Sequence, residues 1–150
     1  MSADETVDTV KSLMTALEAN DLDIAESLLD DNFVMDGWTP QILDKKGFLQ
    51  VIRGLKEGIP GLIFNLHNIQ GEDKAVTGTW QIVGYQTDIL NIPVLSLPPI
   101  PQMGRSVSLP TEDVEFTTNN NRITRLLVKH SDGGGIRGLL NQLGTDMPIV

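Results

Sequence analysis

The sequence predicts an α+β domain: a curved antiparallel sheet forming a cone, packed by N-terminal helices, with a short C-terminal helix. Three observations predict it. Amphipathic helical patterns occupy the first third of the chain, and β-rich runs fill most of the remainder. One of these runs, residues 62–86 (LIFNLHNIQGEDKAVTGTWQIVGYQ), reads as a long antiparallel hairpin about a polar turn at Gly71-Glu72-Asp73-Lys74. Each helix needs a broad apolar surface to cover, and the hairpin begins that surface.

Taken in order, Ser2 and Glu5 match a capping box, and Val7, Val10, Met14 and Leu17 recur at helical spacing toward Asn20. Asp21 caps a second, shorter helix with Leu22, Ala25, Leu28 and Leu29 along one side, closed by Asp30-Asp31. Phe33-Val34-Met35 reads as a short buried strand, and Asp36-Gly37-Trp38-Thr39-Pro40 as a turn-rich loop. Asp44 caps a third helix striped by Phe48, Val51, Ile52 and Leu55, which Gly58-Ile59-Pro60-Gly61 stops.

After the hairpin, residues 87–104 set Pro93, Pro98, Pro99 and Pro101 among aliphatics such as Leu90, Ile92 and Leu97. Prolines at that density exclude a helix or a central strand, yet the segment is too apolar for a solvated loop. Residues 90–103 are therefore expected to pack over a cavity mouth or across a subunit interface. Residues 105–116 and 122–130 read as two more strands joined by Thr118-Asn119-Asn120-Asn121. Gly133-Gly134-Gly135 then breaks the chain before a helix carrying Ile136, Leu139, Leu140 and Leu143, with Gly144 suited to its C′ position. Gly78 and Gly84 stand where a cone-shaped sheet would bend. With no repeat and no linker, residues 1–150 read as a single domain.

At 150 residues the chain can bury a core without metal or disulfide support, and it has no cysteine for thiolate chemistry. Twenty acidic against 11 basic residues give a formal charge of −9, which argues against nucleic acid and anionic membrane as partners. No apolar run approaches the roughly 18 residues of a membrane span. The acidic start, MSADETVDTV, lacks the order of a signal peptide, so a cytoplasmic location is expected.

The run EANDLDIAESLLDDNFVMDG resembles the opening of nuclear transport factor 2-like domains, in particular the SnoaL-like polyketide cyclase and ester cyclase branch. The similarity continues through IPGLIFNLHNIQGEDKAVTGTWQIVGYQT, MGRSVSLPTEDVEF and NNRITRLLVKHSDGGGIRGLLNQLG, covering nearly the whole chain in order. The resemblance implies a cone with a ligand pocket in its mouth and a homodimer formed through an apolar outer sheet face. It also implies ring closure by aldol chemistry without metal or cofactor, with an acid near the last strand as base. Two departures stand out. Gly84-Tyr85-Gln86-Thr87 lacks the branch's histidine, and Asp132 falls in register with the branch's acid only across an insertion at the glycines.

On this reading Asp132 is the candidate base, Asp36 a second acid/base group or a cap of the turn at Gly37, and His130 a polar partner of Asp132. Trp38 and Trp80 are candidate ligand-binding or core residues, Tyr85 a core residue or a candidate donor to a developing oxyanion, and Gln86 a candidate polar orienter of the ligand. His67 faces either the cavity or solvent: an even hairpin turn places it on the face of Trp80, an odd one with Gln81. Among Glu112, Asp113 and Glu115 strand alternation puts at least one acid beside apolar neighbours, and a buried acid there would be functional. Two distant histidines make no metal site, and the glycine triplet lacks the Lys-Ser/Thr of a phosphate loop. No cofactor is expected. Two functions stay open: cofactor-free carboxylate acid/base chemistry on an apolar carbonyl compound, of cyclase or isomerase type, or a non-catalytic module that binds a hydrophobic ligand or another protein.

Overall fold

The computed structural model describes residues 3–145, so Ser2 of the expected capping box lies outside the described residues. Helices α1 (Ala3–Glu18) and α2 (Leu22–Leu28) lead into strand β1 (Leu29–Asp36) and the two-residue β2 (Leu43–Asp44). Helix α3 (Lys45–Gly58) comes next, then β3 (His67–Gly71), β4 (Ala75–Trp80) and β5 (Val83–Tyr85). Strands β6 (Ser106–Ser108), β7 (Glu112–Asn119) and β8 (Arg122–Val128) precede helix α4 (Gly135–Gln142). The expected caps are present: the Asp21 carboxylate accepts from Ile24 N and that of Asp44 from Gly47 N.

Six strands form one sheet in the order β2-β1-β8-β7-β4-β3, and β5 pairs with β6 in a small second sheet. Among the described residues all strand pairings are antiparallel except one: β1 runs parallel to β8, so the main sheet is mixed. That pairing joins distant parts of the chain, and no turn specifies it. One row of facing residues, Val76, Phe116, Leu126 and Met35, crosses four strands on the inner face. Helices α1 and α3 pack against that sheet. Phe33 meets Phe48 of α3 with ring centroids 5.1 Å apart, and Phe64 meets Trp80 at 5.2 Å.

The cone's bend falls where two strands break together. The run expected as one strand over residues 105–116 is two, because Pro110 has no N–H to offer a ladder. The opposite run breaks after Trp80, leaving Trp80 facing Glu112 in the large sheet and Val83 facing Ser108 in the small one. Gly78 and Gly84 do not make the bend. A Cβ on Gly78 would lie 2.9 Å from the Leu66 side chain, and one on Gly84 would lie 2.5 Å from that of Ile59, so both serve close packing.

The outer row parallel to the core row is Thr77, Glu115, Leu127 and Asp36, with Thr79 and Asp113 beside it. This is not the apolar outer face on which the expectation of a homodimer rested. Residues 87–104 also differ from expectation. Leu90, Ile92, Leu97 and Ile100 are buried, and Leu90 and Ile100 exchange backbone bonds of 2.9 and 2.8 Å. The segment lies against α3 where two glycines admit it: a Cβ on Gly54 would come 2.6 Å from Asn91 O, and one on Gly58 3.0 Å from Leu90 Cα.

Candidate functional site

Period-two alternation along β7 sends Val114, Phe116 and Glu112 to the inner face, so this one acid is carried into the core. Glu112 is 2% exposed. Trp80, its partner across β4, donates its indole N–H to Glu112 Oε1 at 3.1 Å. Trp38 donates to the same oxygen at 3.3 Å. The backbone N–H of Gly135, first residue of α4, reaches Oε2 at 3.0 Å.

Local chain geometry places each donor. Gly37, at φ +94°, turns the chain over β8, where a Cβ would stand 1.9 Å from Val128 O. Trp38 is thereby brought inward, and its carbonyl is held by Ile136 N at 2.9 Å. On the other side, a Cβ on Gly134 would sit 2.7 Å from Glu112 Oε2, so glycine there lets the turn approach the carboxyl. The N-terminal end of α4, with its partial positive charge, meets the acid.

Burial pushes the Glu112 carboxyl above the usual glutamate range. The bonds from Trp80, Gly135 and Trp38 and the nearby charge of His130 pull it back, but burial prevails. An open cleft of about 400 Å³ lies outside this carboxyl, bordered by Trp38, Pro40, Glu112, His130, Arg137 and Asn141. Behind the indoles lies an apolar space of only about 10 Å³ among Leu17, Met35, Phe48, Ile52 and Phe64. A larger groove of about 530 Å³ between α2 and α3 is rimmed by exposed Asp23, Glu26, Asp44 and Arg53 and contains no buried titratable group.

The structure brings Trp38 and Trp80 together and leaves the other sequence candidates elsewhere. Asp132 and His130 face each other at 3.6 Å, but both side chains are exposed, and only His130 borders the cleft. The glycines after Asp132 fold toward Glu112 and leave Asp132 outside, so it does not occupy the expected apolar cavity. Asp36 lies on the outer face, 3.4 Å from Arg125, because alternation along β1 turns Phe33 and Met35 inward.

His67 shows how register decides a face. The turn is even, with Gly71 opposite Val76, which by itself would put His67 on the face of Trp80. A bulge with Asn68 at φ 53° adds one residue, so His67 pairs with Thr79 and is exposed, its Nδ1 2.7 Å from Asn65 O. Tyr85 is 49% exposed. Gln86 is fully buried, but its amide donates to the carbonyls of Asp88, Ile100 and Pro101, so it clasps the proline-rich segment rather than facing the cleft. Among the described residues no three His, Asp or Glu side chains gather as a metal site, and no helix is long and apolar enough to cross a membrane.

The residue not singled out from sequence is Glu112. Its signal was the acid triplet on one strand; which member turned inward depended on the pairing with Trp80.

The family model described as a SnoaL-like domain matches residues 10–126. No curated protein matches the chain. Among solved structures, an LEH-like epoxide hydrolase of M. tuberculosis superposes with a TM-score of 0.69 at 17% identity, over 95% of this chain and 94% of that one. AclR of Streptomyces galilaeus, provisionally named a hydroxylase, gives 0.72 at 14% identity over 95% and 98%. IdmH of Streptomyces antibioticus, provisionally named a polyketide cyclase, gives 0.66 at 19% identity over 93% and 99%. At these identities the likeness is one of fold.

Proposed function

Since the chain belongs to the SnoaL-like family, we propose that it binds a small, largely apolar carbonyl compound in the cleft over Glu112, and that Glu112 supplies the acid/base chemistry. The carrying observation is that Glu112 is a buried acid bordering the cleft, with its pKa raised by that burial. A carboxylate of raised pKa is a stronger base toward a carbon acid, and its protonated form can return the proton to the enolate oxygen or carbon. The two indoles fix its rotamer. His130 and Arg137 at the cleft's border suit a developing oxyanion.

A second reading has a specific observation in its favour. All three bonds to Glu112 come from donors of the protein itself, so the carboxylate is already held without a ligand. In a binding module it would only anchor a ligand's hydroxyl or N–H. An epoxide-hydrolase-type site would need Asp36 buried beside another acid, and Asp36 instead pairs with Arg125 on the outer face.

Proton exchange separates the two readings. An enolisable bicyclic ketone, 2-tetralone, is incubated with the protein in D₂O, and loss of its α-proton signals is followed by NMR. Catalysis predicts exchange above the buffer rate, reduced about 10²–10⁴-fold by Glu112→Gln. Saturable binding at the buffer rate of exchange would favour the module. Exchange that survives Glu112→Gln would reject Glu112 as the acid/base group.

A further inference from the structure

The open cleft and the apolar space behind it meet at one side chain: Trp38 borders both. Its indole donates to Glu112, which borders the cleft, and the residue also lines the apolar space behind. The indole is held to Glu112 by the longest of that residue's three bonds, 3.3 Å, and Trp80 and Gly135 hold the carboxyl from other directions. The Trp38 backbone is pinned by Ile136 N and by the close approach of Gly135. Movement is therefore open to the side chain and not to the loop, and the cleft of about 400 Å³ has room for the ring.

We propose that Trp38 is a gate that sets ligand specificity: a ligand displaces the indole into the cleft and takes its place in the apolar chamber. This rests on Glu112 as the group that meets the ligand, and it moves the ligand's seat from the cleft, which becomes the entrance, to the chamber, which sets the ligand class. The space behind Trp38 is only about 10 Å³, so the room available is set by the departing indole itself, which means one or two fused rings. The walls include Leu17, Met35, Phe48, Val51 and Leu55, which disfavour a charged group. Displacing the indole leaves Glu112 Oε1 with Trp80 alone of its two indole donors, so a ligand that returns a donor there is favoured. The class is therefore an uncharged one- or two-ring molecule with a hydroxyl or N–H, such as a phenol or the enol of a cyclic ketone.

A gate and a wall predict opposite signs. A ligand that must first open Trp38 binds with an apparent Kd raised by the scarcity of the open state, so removing the ring tightens binding. A ligand that merely rests on Trp38 loses contact when the ring is removed, and binds more weakly. The probe is 2-naphthol, titrated calorimetrically into the parent, Trp38→Ala and Trp38→Phe proteins, with circular dichroism to check folding. The gate predicts saturable binding to the parent, tightening of about tenfold or more in Trp38→Ala, and a smaller tightening in Trp38→Phe, which keeps a ring but lacks the N–H. Indole should compete with 2-naphthol in Trp38→Ala, because it refills the vacated space. If Trp38→Ala fails to fold, Trp38→Phe carries the same sign test. Unchanged or weaker binding in the folded variants, or no saturable binding in any, overturns the gate. Tighter 2-naphthol binding with no tetralone exchange would sink the catalytic reading and leave the gate standing; exchange with weaker binding would do the reverse.

Discussion

Trp80 and Glu112 face each other across β4 and β7 at the last pairing before both strands break, and the Trp80 indole N–H donates to Glu112 Oε1 at 3.1 Å. The bend of the cone and its buried acid are thus one local structure. Removing the carboxyl strands two indole donors and the Gly135 N–H. Glu112→Ala should lower unfolding free energy by roughly 3 kcal/mol or more, since each buried unpaired group costs about 1–3 kcal/mol. Glu112→Gln keeps an acceptor oxygen and should cost less. Urea denaturation of the parent and both variants checks the order; equal stability would show that the bonds contribute nothing net.

The same carboxyl gives a pH dependence with a definite sign. Its folded pKa is raised by burial, so the folded state holds the proton more tightly than the unfolded chain does. Its stabilising contribution is full below the ordinary glutamate range and is lost as pH rises through the raised value. Glu112→Gln should flatten that part of the stability–pH curve. The indole N–H resonances of Trp38 and Trp80 should shift together over the same window, because both donate to this group. Indole signals that do not move across the titration would contradict the pairing.

Asp132 gives the complementary test. Its side chain is fully exposed and pairs with the exposed His130 at 3.6 Å. Asp132→Asn should therefore leave 2-tetralone exchange within about twofold of the parent, against the 10²–10⁴-fold loss expected for Glu112→Gln. A large loss in Asp132→Asn would restore that residue as the base.

Asp36 and Arg125 lie 3.4 Å apart with both side chains substantially exposed. Asp36→Asn should change stability by no more than about 1 kcal/mol and leave exchange unchanged. A bigger effect in either measurement would mean that the outer face takes part in the site.

The proline-rich segment is tested through α3. In an exposed helix Gly→Ala would gain about 1 kcal/mol, but at Gly54 the new methyl would meet Asn91 O at 2.6 Å. Overpacking of this kind costs about 1–3 kcal/mol, so Gly54→Ala should be neutral to destabilising and should speed amide hydrogen exchange at Leu90 and Ile100. A stabilised variant with unchanged protection there would show that the segment is not seated on α3.

By itself the sequence determined the elements that local chemistry encodes. The Asp21 and Asp44 caps, the apolar stripe of α3, the Gly71–Lys74 turn and the strand pattern after it arise from short-range periodicity and turn chemistry. The order of helices and strands was enough for the fold class. Only the tertiary structure decided the faces. One extra residue at Asn68 moved His67 off the face of Trp80, and the pairing of Trp80 with Glu112 sent that acid inward. The glycines of residues 133–135 carried the chain to Glu112 while leaving Asp132 in solvent. The parallel pairing of β1 with β8 joins distant parts of the chain and so left no local signal. In a strand a single step of register exchanges core for solvent, so a site made of strand residues is fixed by long-range pairing, which no short stretch of sequence records.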